Sequence, residues 1–250
     1  MRVARVGFTP LKGGRHLTHG SVELSAIGPV GDRAFCLIDP ATDRCLRTVE
    51  RPTLLQARAE WDGTVLSAEL PTGTVVGEPE PTNDIRTADY WGRAAMLRVM
   101  DGPWAAAFSA HLGREVLLAS AAPGAVVYGA SVSLVTSASL ARLADEVGGH
   151  VDGARFRATF QLDGDELTPH TEDEWVGRRL RLGAAEIEVR SVIPRCAVVD
   201  LGPDSGVPDL ALLKALARCR RDQQLGFGVD AMVTVAGRVS TGDPARLLTV

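Results

Sequence analysis

The chain has 250 residues, 45% of them apolar and 23% charged. That composition excludes a disordered or fibrous protein and suits one large domain or two small ones with a real core. A formal net charge of −4 argues against a dedicated nucleic-acid binder, which carries a basic excess, and four cysteines are too few for a disulfide framework, pointing instead to free thiols in a reducing compartment.

Residues 1–10 lack an apolar core of signal-peptide length. The longest uncharged stretch, 116–141, is broken by Pro123, Gly124 and Gly129 and by many Ser and Thr. It reads as two strands and a loop, since a membrane span would be more uniformly apolar. A soluble cytoplasmic protein is expected, with no membrane and no nucleic acid among its partners.

In chain order, residues 2–8 alternate loosely and stop at Pro10, predicting a strand, and 34–38 is a short apolar run closed by Asp39-Pro40. Residues 54–61 and 65–70 flank Asp62-Gly63-Thr64, a hairpin signal. The stretch 70–93, rich in Pro, Gly and Thr, predicts a long loop with one short strand. A helix is predicted over 104–112, between Gly102-Pro103 and Gly113. Strands follow at 115–119 and 132–135, then a helix over 137–147 with Leu140, Leu143 and Val147 on one face and Gly148-Gly149 as its stop. Further strands are predicted at 158–162, 179–182 and 186–192. The clearest helix runs over 209–220, with Leu210, Leu213, Leu216 and Ala217 on one side and Arg218, Arg220 and Arg221 at its basic end. Residues 229–235 are the last long strand before Gly242-Asp243-Pro244. Many short strands with about three helices predict a mainly β, α+β fold containing a barrel. The composition shift at 113–125 is the candidate domain boundary.

Cysteine is the strongest candidate for chemistry. Cys36 lies in an apolar strand and reads as core, Cys45 sits close to a turn, and Cys219 lies late on a helix. Cys196 differs, because it follows Pro194-Arg195 at a strand end. A guanidinium there favours the thiolate, the form that binds soft metals or attacks an electrophile. His16 and His19 have no third ligand nearby and read as a solvated loop, and Glu172-Asp173-Glu174 reads as a polar loop or helix start. Lys12 within Leu11-Lys12-Gly13-Gly14, Arg33 after Gly31-Asp32, and Arg155-Phe156-Arg157 place cations beside turn residues. Together with Arg195 they suggest a pocket for an anionic ligand near a thiol.

These pieces, in this order, resemble the MOSC domain, named for the C-terminal domain of molybdenum-cofactor sulfurases, with the β-rich domain that often precedes it. They are Pro10-Leu11-Lys12-Gly13, Gly31-Asp32-Arg33-Ala34-Phe35, the run from Leu134 to Leu140, Arg155-Phe156-Arg157, Glu172-Asp173-Glu174-Trp175-Val176-Gly177, Pro194-Arg195-Cys196, Pro203-Asp204-Ser205-Gly206, Phe227-Gly228 and Gly242-Asp243-Pro244. The resemblance implies a β-rich N-terminal domain over 1–115 and a MOSC β-barrel over 116–250. It implies a molybdenum cofactor (molybdopterin) held by Lys12, Arg33, Arg157, Thr159 and Arg195, with Cys196 as both metal ligand and catalytic residue. Thr159 stands where the family usually carries Asn, because Phe156-Arg157-Ala158-Thr159 replaces Phe-Arg-Pro-Asn. By similarity to the mitochondrial amidoxime-reducing component and its bacterial relatives, the expected activity is reduction of small N-oxygenated substrates, with electrons from a separate donor protein. The alternatives are metal-free sulfur transfer or C–S chemistry at Cys196, and non-catalytic cofactor carriage.

Overall fold

The computed structural model describes residues 1–220 and 225–249. Strands dominate, with three α-helices among the described residues. The first strands are β1 (Arg2–Phe8), β2 (Leu17–His19), β3 (Ser21–Ser25), β4 (Gly28–Pro29), β5 (Phe35–Asp39) and β6 (Arg44–Cys45). A short 3-10 turn, Pro52–Gln56, leads to β7 (Arg58–Trp61), β8 (Leu66–Leu70), β9 (Gly73–Gly77), β10 (Glu80–Tyr90) and β11 (Arg93–Asp101). Helix α1 (Trp104–Leu112), β12 (Leu117–Ala121), β13 (Val132–Thr136), α2 (Ser137–Val147) and β14 (Phe160–Asp163) follow. The chain ends with β15 (Arg179–Leu182), β16 (Ala185–Pro194), α3 (Leu212–Cys219), β17 (Gly226–Val235), β18 (Gly237–Ser240) and β19 (Ala245–Leu247).

The expected fold class, mainly β with a few helices, is what the chain adopts. Eight strands form one sheet in the order β19-β15-β16-β17-β13-β14-β1-β2. β13 and β14 run parallel through the α2 crossover, and the other pairs are antiparallel. The small sheet β18-β3-β4 packs against it, so Val22, Leu24 and Val239 share one core with Leu134, Phe160, Ile187 and Val229. The ring that closes is made by strands of the first half, β10-β11-β12-β5-β6. Few strands leave little room inside, and its interior is accordingly filled by Cys36, Ala88, Ala95 and Ala119 around Tyr90 and Leu97. Phe35, Leu37 and Leu118 face outward onto α1 and the sheet β7-β8-β9. β1 and β2, although N-terminal, are hydrogen-bonded into the sheet of the second half.

Local chemistry sets the best-defined boundaries. The Thr136 side chain caps α2 by accepting from the Ser139 N–H at 3.2 Å, and Gly148 ends the helix at φ +68°. The carboxylate of Asp62 accepts from the N–H groups of Thr64 and Val65, forming the β7–β8 turn.

Four expectations are corrected. The loop expected over 70–93 is β9 and the eleven-residue β10. Its side chains are mostly polar and exposed, so its strand character comes from pairing with β11 and, at Asp89, with Arg44 of β6. The strand expected over 54–61 begins as the 3-10 turn that Pro52 nucleates. The helix expected from 209 starts at Leu212, because the Asp209 N–H donates to the Asp200 carbonyl at 3.1 Å and the Asp209 carboxylate is held by Arg155. Asp200 then supplies the acceptor for the Leu213 N–H at 2.8 Å. Fourth, His16 is buried rather than solvated, its Nδ1 3.0 Å from Arg5 Nη2, and the His19 ring stacks on Phe8. Of the basic residues at the end of α3, Arg221 lies outside the described residues. Among those residues no helix is long and apolar enough to cross a membrane.

Candidate functional site

Two distant stretches of chain are brought together first. Residues 9–12 run beside residues 33–35, with Lys12 N–H donating to the Phe35 carbonyl at 2.7 Å, Phe35 N–H to Pro10 at 2.9 Å and Arg33 N–H to Thr9 at 2.7 Å. That short ladder puts the Lys12 and Arg33 side chains into one cleft. Arg157 enters from the other side. It ends the 3-10 turn Gly153–Phe156 at φ +53°, and its Nη1 donates to the Gly14 carbonyl at 2.7 Å. Arg33 is likewise left-handed, at φ +50°. A non-glycine residue held there is strained by roughly 1–3 kcal/mol, and such strain concentrates at functional sites. Arg195, at the end of β16, is fixed by Nε to the Phe227 carbonyl at 2.7 Å and Nη1 to the Phe156 carbonyl at 2.9 Å, with its guanidinium over the Phe156 ring.

The cleft has a volume of about 340 Å³. Lys12, Arg33, Arg157, Arg195 and Cys196 all line it, and Cys196 is exposed. Thr159 does not line it. It is buried behind the wall, exchanging hydrogen bonds with Ser133: Thr159 Oγ1 accepts from Ser133 N–H at 3.1 Å, and Ser133 Oγ accepts from Thr159 N–H at 3.2 Å. Ser133 is the lining residue of that pair. Arg155, also on the wall, is committed to structure through its bidentate pair with Asp209 at 2.7 and 2.6 Å.

Crowded positive charge marks the cleft floor. Burial, with Arg33 and Arg157 adding repulsion, brings Lys12 down to about 7. Burial and Arg33 bring Arg157 down to about 9, and burial brings Arg195 down to about 10. Asp32, buried beside Arg33, supplies one counter-charge. Arg33 Nε, Arg157 Nη2, Arg195 Nη2 and the Tyr90 hydroxyl are buried with no hydrogen-bond partner. Unsatisfied buried donors of this kind cost free energy unless an acceptor arrives. The donor set therefore fits an anion with several oxygens, phosphate above all. The exposed Cys196 thiol on the same wall fits a soft metal. Among the described residues no group of three or more His, Cys, Asp and Glu is placed to hold a metal ion.

Aromatic side chains frame the opening. Trp91 and Tyr128 are exposed at the rim with ring centroids 5.8 Å apart, and the Arg47 guanidinium lies 4.2 Å above Trp91. Lys12 Nζ lies 4.9 Å from the Tyr90 ring centre. Asp230 pins the rim from beneath, accepting from Ala130 N–H at 2.9 Å and from Ser191 N–H and Oγ at 3.0 and 2.8 Å. The expected site did not include Tyr90, Trp91, Arg47, Tyr128 or Asp230. One signal for them was local: Trp91-Gly92 is a two-residue hairpin turn with both φ positive, which puts a large aromatic at an exposed tip. Glu172, expected in a polar loop or helix start, lies in the short 3-10 turn Thr171–Trp175 but is fully buried, and its Oε2 accepts from the hydroxyls of Thr136 and Ser139.

The chain belongs to the MOSC domain family, whose model matches residues 110–246. No curated protein matches it. Among solved structures it is similar to YiiM from Geobacillus stearothermophilus at 20% identity, over 48% of this chain and 54% of YiiM, with a TM-score of 0.36. The chain thus spans about half the length of YiiM. It is also similar to the YUAD protein from Bacillus subtilis, at 11% identity over 98% of this chain and 93% of that one, with a TM-score of 0.45.

Proposed function

We propose that the chain binds a molybdenum cofactor in this cleft and is an oxidoreductase that reduces small N-oxygenated compounds, with electrons delivered by a separate protein. One observation carries the reading: four cationic side chains, three of them with unpartnered buried donors, share a cleft with an exposed cysteine. Lys12, Arg33, Arg157 and Arg195 would hold the pterin phosphate, and Cys196 would ligate the metal through its thiolate. When bound, the cofactor would supply a metal centre able to accept an oxygen atom in a two-electron reduction. The chain's own residues bind and orient. The paired carbonyls of Phe156 and Phe227 hold Arg195 in place, Gly14 holds Arg157, and the ladder of residues 9–12 with 33–35 holds Lys12 and Arg33. Lys12, near neutrality in its charge, is the group that gains a proton when an anion arrives. Trp91 and Tyr128 offer flat apolar surface to the organic part of a substrate.

The test uses protein from a host that synthesises the cofactor, a dye reduced by dithionite as electron source, and an aromatic amidoxime as substrate. The reading predicts amidine formation that is lost in Cys196→Ser. Cofactor-loaded protein that forms no amidine, or a Cys196→Ser variant with full turnover, would refute it.

A further inference from the structure

The closed ring holds two of the four cysteines, and the reading above uses neither. Cys36 on β5 and Cys45 on β6 are free and lie in the same small core. The strands pair antiparallel with Ile38 opposite Cys45. Cys36 sits two residues before Ile38, so its side chain leaves the same face and lies diagonally across from Cys45. The Cys45 thiol donates to the Leu46 carbonyl at 3.8 Å. The closeness of the two sulfurs makes them unequal. It holds Cys45 below the ordinary thiol value, with Lys12 and Arg47 assisting against burial, and together with burial it raises Cys36 well above that value. A thiol with enhanced thiolate character beside a protonated neighbour is the arrangement of an attacking and a resolving cysteine.

Cys45 is buried but borders a second cleft, of about 260 Å³, which shares no lining residue with the first. Cys45 lines it, with Arg44, Arg51, Arg114, Asp39 and Glu50. Arg114 is paired with Asp39, yet its Nε is buried without a partner. Three guanidinium groups against two carboxylates match a small zwitterion with more carboxylates than ammonium groups. Peptidic thiols and disulfides of the glutathione class have that charge pattern.

We propose that Cys36 and Cys45 are a reversible dithiol–disulfide site, exchanging with anionic low-molecular-weight disulfides that enter the second cleft. The Cys45 thiolate attacks one sulfur of the small disulfide, forming a mixed disulfide and releasing one small thiolate. The Cys36 thiol then gives up its proton and attacks Cys45 Sγ, forming the Cys36–Cys45 bond and releasing the second small thiolate. The protein loses two electrons and two protons, and the small disulfide gains both as two thiols. The site stands independently of molybdenum binding.

The test is peptide mapping of the full-length protein after exposure to excess oxidised glutathione at pH 8, acid quenching and alkylation. The proposal predicts a Cys36–Cys45 cross-linked peptide, two hydrogens lighter than the reduced pair. It predicts that Cys36→Ser retains glutathione on Cys45, and that cystamine, a dicationic disulfide, forms the cross-link about tenfold more slowly at equal concentration. Cys36 and Cys45 both remaining free while Cys196 or Cys219 is glutathionylated would overturn it. So would a lasting glutathione adduct on Cys45 in the unmodified sequence, or equal rates with cystamine. The mapping of the unmodified protein decides the pair even if Cys36→Ser does not fold.

Discussion

Lys12→Met separates what a charge does for the fold from what it does for a ligand. In the folded protein burial and two neighbouring guanidinium groups bring Lys12 from 10.5 to about 7. At about 1.4 kcal/mol per pH unit, that fall sets a ceiling of about 5 kcal/mol on the cost of keeping the ammonium charged in place. The side chain is only half-buried and rests on the Tyr90 ring, so solvent and the cation–π contact reduce the expected gain from Lys12→Met to about 1–2 kcal/mol. The sign follows from proton uptake. Below pH 7 both folded and unfolded chains carry the charge, and the full penalty applies. Between about 7 and 10.5 only the unfolded chain holds the proton, so stability rises with pH and the penalty fades. Urea unfolding should therefore show Lys12→Met more stable than the parent at pH 6, with the difference shrinking toward pH 10. Binding of inorganic pyrophosphate at pH 6 should weaken about tenfold in the same variant. A variant less stable at both pH values, with unchanged pyrophosphate affinity, would refute the view of the cleft floor as an anion site built at the expense of stability.

Arg195→Lys keeps the charge but loses the fork that spans the Phe156 and Phe227 carbonyls, so unfolding free energy should fall by about 2 kcal/mol, measured in urea. Gly228 lies at φ +68°, and an added Cβ would sit 2.5 Å from the Leu134 carbonyl oxygen and 3.3 Å from Arg195 Nη2. Gly228→Ala should cost about 2–4 kcal/mol and weaken pyrophosphate binding along with stability. Burial raises the Glu172 carboxyl despite its hydroxyl donors. Above about pH 4.5 the unfolded chain loses that proton while the folded one keeps it, so stability falls as pH rises. Glu172→Gln should raise the thermal midpoint at pH 8 and leave it unchanged at pH 4.

The parts of the fold legible from sequence were those fixed by nearest neighbours along the chain. Thr136 and Gly148 bound α2, Gly102-Pro103 and Gly113 bound α1, and Asp62-Gly63 makes the hairpin turn. β10 was illegible because its polar face says nothing of the strands it joins. Its inward residues, Ala88 and Tyr90, acquire meaning only when the ring closes. The cationic residues could be picked out beside their turns, and the ordered motifs tied them to a family. Their convergence required the ladder between residues 9–12 and 33–35 and the reach of Arg157 to Gly14, contacts over long stretches of chain. Thr159 shows the limit of matching by position: it occupies the motif's place, but its short side chain spends its hydrogen bonds on Ser133. The buried state of Glu172 was hidden for a similar reason, since its hydroxyl donors come from α2 and the strand before it.

Elemental analysis of protein purified from a cofactor-synthesising host tests most directly whether Cys196 and the four cations form one cofactor site. The account predicts close to one molybdenum per chain, falling to background in Cys196→Ala with the fold intact by circular dichroism. Well-folded protein without molybdenum, or undiminished metal in Cys196→Ala, would contradict it.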